Sequence, residues 1–397
     1  MKKSCWQSDA IINTYSKWYE GIVLFGAGVT GTRFAGTLKK YNCFLGYLDN
    51  DPYKVEHGYN SEAVKSLNEY MRNPHGFIVI TASVKGQVQI SKQLEDAGLK
   101  NKVDFCSYET FLGEVFPVMS YFVYHKIFMK LAQICLTERC TLKCHKCAHG
   151  CFNVKSTSND MTIEEAKRSA DAFFTHIDYV HEFVLLGGEP LLYSNLSEIL
   201  EYIGEKYRNQ MDIFSITSNG TILPDDKILA LCNKYHVLYR ISNYESQVPY
   251  LKEKYEKLIN LLVSNGIDNQ LGKAGQAWMD YGFGYLNRNA SEEELIEIFD
   301  QCKTPCREVR GNKLYFCVMA RSISDNLHYN VGQDDYLDLD QINTAEDKIE
   351  ILKFNLGYSE KGYIDMCEHC YGKEAVQHPI PAGVQVKNED KGSECHE

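Results

Sequence analysis

Cys140-Thr-Leu-Lys-Cys144-His-Lys-Cys147 follows directly on the apolar run Leu131-Ala-Gln-Ile-Cys-Leu136. The run reads as a short buried strand, so three thiols at C-x3-C-x2-C spacing are folded into the one loop that leaves it. Three thiolates can hold three irons of a four-iron cluster, and the fourth iron, without a protein ligand, is open to a small molecule. Further on, Gly187-Gly188-Glu189-Pro190 closes a second apolar run, Phe183 to Leu186, a strand that ends in a glycine turn with exposed backbone donors and a carboxylate. Working outward, the strands Ile213 to Thr217 and Val237 to Ile241 end in Thr217-Ser218-Asn219-Gly220 and Ser242-Asn243-Tyr244. Helical stretches separate them. One begins at Thr162-Ile-Glu-Glu-Ala-Lys, with Thr162 placed to cap and Glu165 at capping-box spacing. Alternating strand and helix is what a parallel α/β barrel requires.

Together the cysteine loop and the glycine loop resemble the radical SAM superfamily. The resemblance implies a partial (β/α)6-type barrel whose first two strands carry the two loops to one rim, where barrel active sites lie. It implies that Cys140, Cys144 and Cys147 ligate a 4Fe-4S cluster and that S-adenosylmethionine (SAM) chelates the open iron. Gly187, Gly188, Glu189 and Pro190 would contact the SAM amino group, and Ser218, Asn219 and Ser242 its ribose and carboxylate. One electron, from an external donor such as flavodoxin or ferredoxin, would split SAM into methionine and a 5'-deoxyadenosyl radical. The chain departs from the family pattern at Lys146, where the residue before the third cysteine is usually aromatic and helps to cover the adenine. Read without the resemblance, Cys151 would supply a fourth thiolate to a tetrahedral zinc knuckle, and Asn219-Gly220 is simply a good turn.

A second cysteine set follows: Cys302, Cys306, Cys317 and the pair Cys367-Glu-His-Cys370. It resembles the auxiliary-cluster region called Twitch, a relative of the SPASM domain, with Gly311-Asn-Lys-Leu-Tyr-Phe-Cys317 in place of its glycine-containing hairpin. The resemblance implies one auxiliary 4Fe-4S cluster held by Cys317, Cys367, Cys370 and one of Cys302 or Cys306. Overall spacing points to Cys302 and closeness in the hairpin to Cys306, and a zinc ribbon would use the same residue types.

Upstream, Gly21 to Phe25, Cys43 to Leu48, Phe77 to Thr81 and Val103 to Cys106 read as strands of a half-size Rossmann-like module. Its glycine turn, Gly26-Ala27-Gly28-Val29-Thr30-Gly31, and Asp49 at the end of the second strand stand where a dinucleotide fold holds phosphate and ribose. Gly26, Gly28, Gly31 and Asp49 are therefore candidate contacts to a nucleotide or nucleotide-sugar, with a structural or docking role as the alternative. The module resembles N-terminal domains of sugar-modifying and polysaccharide-biosynthesis proteins. The expected organisation is α/β throughout: a Rossmann-like module over 1–115, the radical SAM barrel over 116–285, the Twitch-like region over 286–386 and a polar tail over 387–397.

A net charge of −11 over 397 residues argues against a nucleic-acid partner, whose phosphates are gripped by Lys and Arg. The start, Met1-Lys-Lys-Ser-Cys-Trp-Gln, has no apolar run behind it, which predicts no secretory signal. His125, Lys126 and Lys130 interrupt the apolar stretch from Phe116 to Leu136, which predicts no membrane span. Fifteen clustered cysteines fit metal ligation in a reducing, cytoplasmic setting. The expected function is a radical SAM enzyme of oxidoreductase type that abstracts a hydrogen atom from a carbohydrate or nucleotide-sugar, by oxidation, dehydration or epimerisation. The alternatives are a peptide- or protein-modifying (maturase) enzyme and a non-catalytic metal-binding sensor. A plain NAD-dependent dehydrogenase leaves the later cysteines unexplained.

Overall fold

Apolar runs bounded by glycine turns become strands in the computed structural model, which describes residues 20–154, 160–302, 304, 306–330 and 332–386. The chain start and the polar tail expected over 387–397 lie outside the described residues. Packing separates the chain into two units, Gln7–Lys130 and one that takes in Leu131–Glu397.

In the first unit, β1 (Ile22–Phe25), β2 (Phe44–Leu48), β3 (Val64–Lys65), β4 (Phe77–Ile80) and β5 (Phe105–Ser107) form a sheet in the order β3-β2-β1-β4-β5. Every pairing is parallel. β1 and β4 are buried at every position, as strands covered on both faces must be, and this makes them unbroken apolar runs. β3, two residues long, is too short to show as such a run. Helices α1 (Val29–Lys40), α2 (Pro52–His57) and α3 (Val84–Asp96) connect the strands. A Cβ on Gly31 would overlap the carbonyl of Gly26, so the turn into α1 requires glycine there. The strand order reverses between β1 and β4, the point at which doubly wound sheets bind ligands. α4 (Phe116–Tyr124) ends where His125 turns left-handed, φ 54°.

The second unit is built on an eight-stranded sheet. Its strands are β6 (Phe128–Cys135), β7 (Tyr179–Leu186), β8 (Met211–Ser218), β9 (Val237–Ile241) and β10 (Asn269–Leu271), then, beyond the small strand β11 (Ala277–Met279), β12 (Cys306–Arg310), β13 (Lys313–Tyr315) and β14 (Tyr336–Asp338). The order is β10-β9-β8-β7-β6-β12-β13-β14. α5 (Ile163–His176), α6 (Leu196–Tyr207), α7 (Asp226–Lys234) and α8 (Leu251–Ser264) alternate with the first five of these strands. Thr162 caps α5 by accepting from Glu165 N at 3.1 Å. The Glu165 carboxylate pairs with Arg310 on β12 at 3.1 Å. β7 is buried throughout, His181 and Glu182 included. His181 bonds Asp212 at 2.9 Å, and Glu182 accepts from Ser215 at 2.8 Å and pairs with Arg240 at 2.7 Å, so both polar groups are satisfied as burial demands.

Downstream of α9 (Glu292–Asp300), β12 lies parallel to β6 in the register Cys306↔Leu131, and β13 and β14 follow antiparallel. The hairpin that carries Cys306 and leads to Cys317 thus extends the barrel's own sheet. α10 (Lys348–Leu356) precedes the Cys367–Cys370 turn, and β15 (Pro379–Pro381) pairs with β11. Among the described residues, no helix is long and apolar enough to cross a membrane.

Candidate active site

β6 and β7 each end in a loop, and these loops are laced together. Leu136 N donates to Leu186 O, Gly188 N to Thr137 O and Glu189 N to Arg139 O, all at 2.8 Å. A Cβ on Gly187 would strike Thr137, and one on Gly188 would strike the carbonyl of Arg139. Both positions are glycine because the chain that delivers Cys140 passes directly over them. Glu189 is wholly buried. It accepts from Ser218 Oγ at 2.9 Å, Asn219 N at 2.8 Å and Leu191 N at 3.2 Å. Burial pushes its carboxyl up to about 7, against these donors.

Cys140, Cys144 and Cys147 lie near enough to act on one another, each sulfur in a defined setting. Cys140 Sγ accepts from Leu142 N and from Asn219 Nδ2, both at 3.4 Å. Cys144 Sγ accepts from Gln385 Nε2 at 3.3 Å. Cys147 is hydrogen-bonded to Cys151, which holds the Cys147 thiol down at about 7 and drives Cys151 well above the ordinary thiol value. Burial pushes Cys140 to about 11 and Cys144 to about 12. Donors aimed at sulfur favour the thiolate form, and the field of each of these cysteines reaches another of the set. The donor set therefore fits a cluster ligated by thiolates. Among the described residues, no group of three His, Cys, Asp or Glu is drawn in tightly enough to hold a single metal ion.

Of the strand-end residues, Ser218 and Asn219 spend their polar groups on Glu189, Cys140 and Thr141. Ser242 instead lines a cavity of about 250 Å³ with Asn243, Tyr244, Arg240, Gln270, Lys273, Gln276 and Trp278. Tyr244 feels the charge of Cys144, Cys147 and Cys140, which puts the cavity beside them. Lys146, with φ 55°, turns away to donate to Phe283 O at 2.9 Å and to sit 4.1 Å over the Tyr285 ring. Gln385 carries no signal in the sequence. Its backbone bridges Cys144, and its Oε1 accepts from Lys143 N at 2.8 Å.

The second set also converges. Cys317 lies within the field of Cys302, Cys370 and Cys367, and Cys302 acts in turn on Cys367 and Cys370. Two sulfurs accept backbone N–H bonds, Cys317 from Ala320 at 3.4 Å and Cys370 from Gly372 at 3.2 Å. In the first unit, Asp49 Oδ2 accepts from Ala27 N at 2.8 Å and pairs with Lys54 at 3.1 Å, so this oxygen is engaged within the glycine turn itself. A Cβ on Gly28 would meet nothing within 4 Å.

The cysteine loop, glycine loop and strand ends define a radical SAM domain, and residues 134–242 match the family described as the Radical SAM superfamily. The chain is 31% identical over 93 residues to a GTP 3',8-cyclase of Ectopseudomonas mendocina (strain ymp), covering 23% of this chain and 27% of that one. It is 32% identical over 95 residues to the antilisterial bacteriocin subtilosin biosynthesis protein AlbA of Bacillus subtilis (strain 168), covering 23% and 19%. The chain thus spans about a quarter or less of these relatives. Among solved structures, BtrN in complex with AdoMet and 2-DOIA is similar at 14% identity and TM-score 0.36, over 62% of this chain and 94% of that one. SuiB of Streptococcus suis bound to S-adenosylmethionine is similar at 19% identity and TM-score 0.31, over 54% and 48%.

Proposed function

We propose that this protein is a radical SAM enzyme that oxidises a carbon of a carbohydrate or nucleotide-linked sugar. The observation that carries the reading is the cysteine loop, in which two sulfurs accept hydrogen bonds from Asn219 and Gln385 and the third is held by Cys151. When bound, the cluster and SAM supply a 5'-deoxyadenosyl radical that takes one hydrogen atom from the substrate. The protein's part is to place the groups. Gly188 N and Glu189 N are spent on Thr137 and Arg139, and the carbonyls of Glu189 and Pro190 accept from Leu192 and Tyr193, so the carbonyls of Gly187 and Gly188 would be the ones offered to an amino group. Gln276, Asn243 and Ser242 around the Trp278 ring combine amide and hydroxyl groups with an aromatic face, a lining suited to a hydroxylated ring. The GTP 3',8-cyclase relatives name a nucleotide substrate, which supports a nucleotide-linked one here. Cys317, Cys367, Cys370 and one of Cys302 or Cys306 would hold the auxiliary cluster, which takes up the electron left on the substrate; Cys370, Cys302, Cys306 and Cys317 act together on Tyr281.

Anaerobic reconstitution should load about eight irons per chain in two four-iron clusters, with Cys140→Ala, Cys144→Ala and Cys147→Ala each abolishing 5'-deoxyadenosine release under reductant. An iron-loaded protein that leaves SAM intact would refute the enzyme reading. A peptide substrate is the second reading, favoured by the match to AlbA. It would displace the first if a precursor peptide, and no nucleotide-sugar, stimulated 5'-deoxyadenosine release.

A further inference from the structure

Arg307 stands on β12 between the candidate ligands, 5% exposed. Its Nη1 donates to Thr304 O at 3.1 Å and to Phe316 O at 2.7 Å, and its Nη2 to Asn355 O at 2.5 Å. Thr304 follows Cys302 by two residues and Phe316 directly precedes Cys317, so the guanidinium is clamped between two cysteine-bearing segments. It lies 3.9 Å over the Phe316 ring. Its Nε is buried and finds no hydrogen-bond partner among the described residues. Its bonded acceptors are neutral carbonyls, and the groups whose charge acts on it are Cys302, Cys317 and Cys306.

A guanidinium cannot shed its charge in a protein, and a buried charge without an opposite one is strongly disfavoured. The groups whose charge reaches the guanidinium are the thiols of Cys302, Cys317 and Cys306, so an anion built on them would supply the missing partner. A four-iron cluster with four thiolates carries net negative charge that increases on reduction. A fixed cation nearby stabilises the reduced form more than the oxidised form, which raises the potential. We propose that Arg307 is the counter-cation of the auxiliary cluster, a positioning residue that makes this cluster a better electron acceptor. This rests on the reading above that the second cysteine set holds iron.

The test uses the full chain with Cys140→Ala, Cys144→Ala and Cys147→Ala, so that only the second site can load. Iron, sulfide and zinc are counted first. Redox titration followed by electron paramagnetic resonance then compares Arg307→Gln and Arg307→Lys with this parent. At a fixed potential, Arg307→Gln should lower the reduced-to-oxidised ratio tenfold or more, about 59 mV for a one-electron couple. Arg307→Lys should stay within threefold of the parent. An unchanged ratio in Arg307→Gln, or an equal loss in both variants, overturns the proposal. Should Arg307→Gln fail to load, Arg307→Lys decides alone: a ratio within threefold supports the proposal and a tenfold fall overturns it. Zinc or no metal in the parent refutes the iron reading itself and takes the inference with it.

Discussion

Gly188 shows how closely the two loops are fitted. Its hydrogen atom faces the carbonyl of Arg139 and the Cβ of Cys140, so Gly188→Ala must push the cysteine loop away from the glycine loop. We expect that variant to fold and to lose roughly half of its iron, all from the first site, with the second cluster's spectrum intact. Iron counts equal to wild type would contradict this. Glu189 fails differently. Glu189→Ala leaves the buried Ser218 hydroxyl and Asn219 N–H without their acceptor, which costs about 1–3 kcal/mol each. The urea midpoint of the metal-free protein should fall accordingly, and a midpoint unmoved would show that water replaces the carboxylate. Both residues stand in the Gly187-Gly188-Glu189-Pro190 motif and were legible as a site. Their contacts with Thr137, Arg139 and Asn219 were not, because nothing local records which loop lies above a turn.

At the level of elements, the cysteine loop is held from two remote segments. His145 N donates to Val384 O at 2.6 Å and Val386 N to Lys143 O at 2.8 Å, so residues 384–386 form a short antiparallel clasp on residues 143–145. Gln385→Ala should keep the fold and speed loss of iron from the first site on exposure to a chelator, and a rate unchanged from wild type would rule out the clasp. Behind the loop, Arg321 is 1% exposed and joins Glu138 to Glu308. Gln133 completes Glu308 at 3.0 Å, and Asn326 binds Glu138 at 3.1 Å. This network ties β6 and β12 to the segment after Cys317. Removing one partner of a buried ion pair costs about 3–5 kcal/mol, and Arg321→Met strands two carboxylates. Its thermal midpoint should drop sharply, whereas a drop no larger than that of a surface variant would mean that the network is not load-sharing. Pattern alone located β6 to β9, but β6 begins at Phe128 and β7 at Tyr179, three and four residues before the apolar runs Leu131–Leu136 and Phe183–Leu186, because Lys130, His181 and Glu182 interrupt the apolar pattern. β12 escaped notice as a barrel neighbour because its sequence, Cys-Arg-Glu-Val-Arg, is polar and is made burial-compatible by partners far away in the chain.

Across the whole molecule, pH dependence follows from buried carboxyls that burial raises to about 7, Glu189 in the glycine loop, Glu308 on β12 and Asp335 after the barrel. Asp335 is fully buried, and although Asp365 N and Met366 N donate to it at 2.6 and 3.1 Å, burial pushes its carboxyl up to about 7. The folded state therefore binds this proton more tightly than the unfolded state. The stabilisation is complete below the unfolded value near 3.8 and is lost as pH rises through about 7. Asp335→Asn, which has no proton to lose, should flatten the decline of the unfolding midpoint between pH 5 and 8. An identical slope in both proteins would assign the pH dependence elsewhere.

The sequence by itself determined the strands as apolar runs, the glycine turns between strand and helix, and the three thiols of one loop, because backbone sterics and burial act over a few neighbouring residues. Only tertiary structure decided that Asn219 and Gln385 donate to the sulfurs of Cys140 and Cys144, that Asp49 accepts from the glycine turn 22 residues upstream, and that Arg307 lies buried against neutral carbonyls. Those facts depend on which distant segments share one low-dielectric interior, and long-range packing leaves no local periodicity to read.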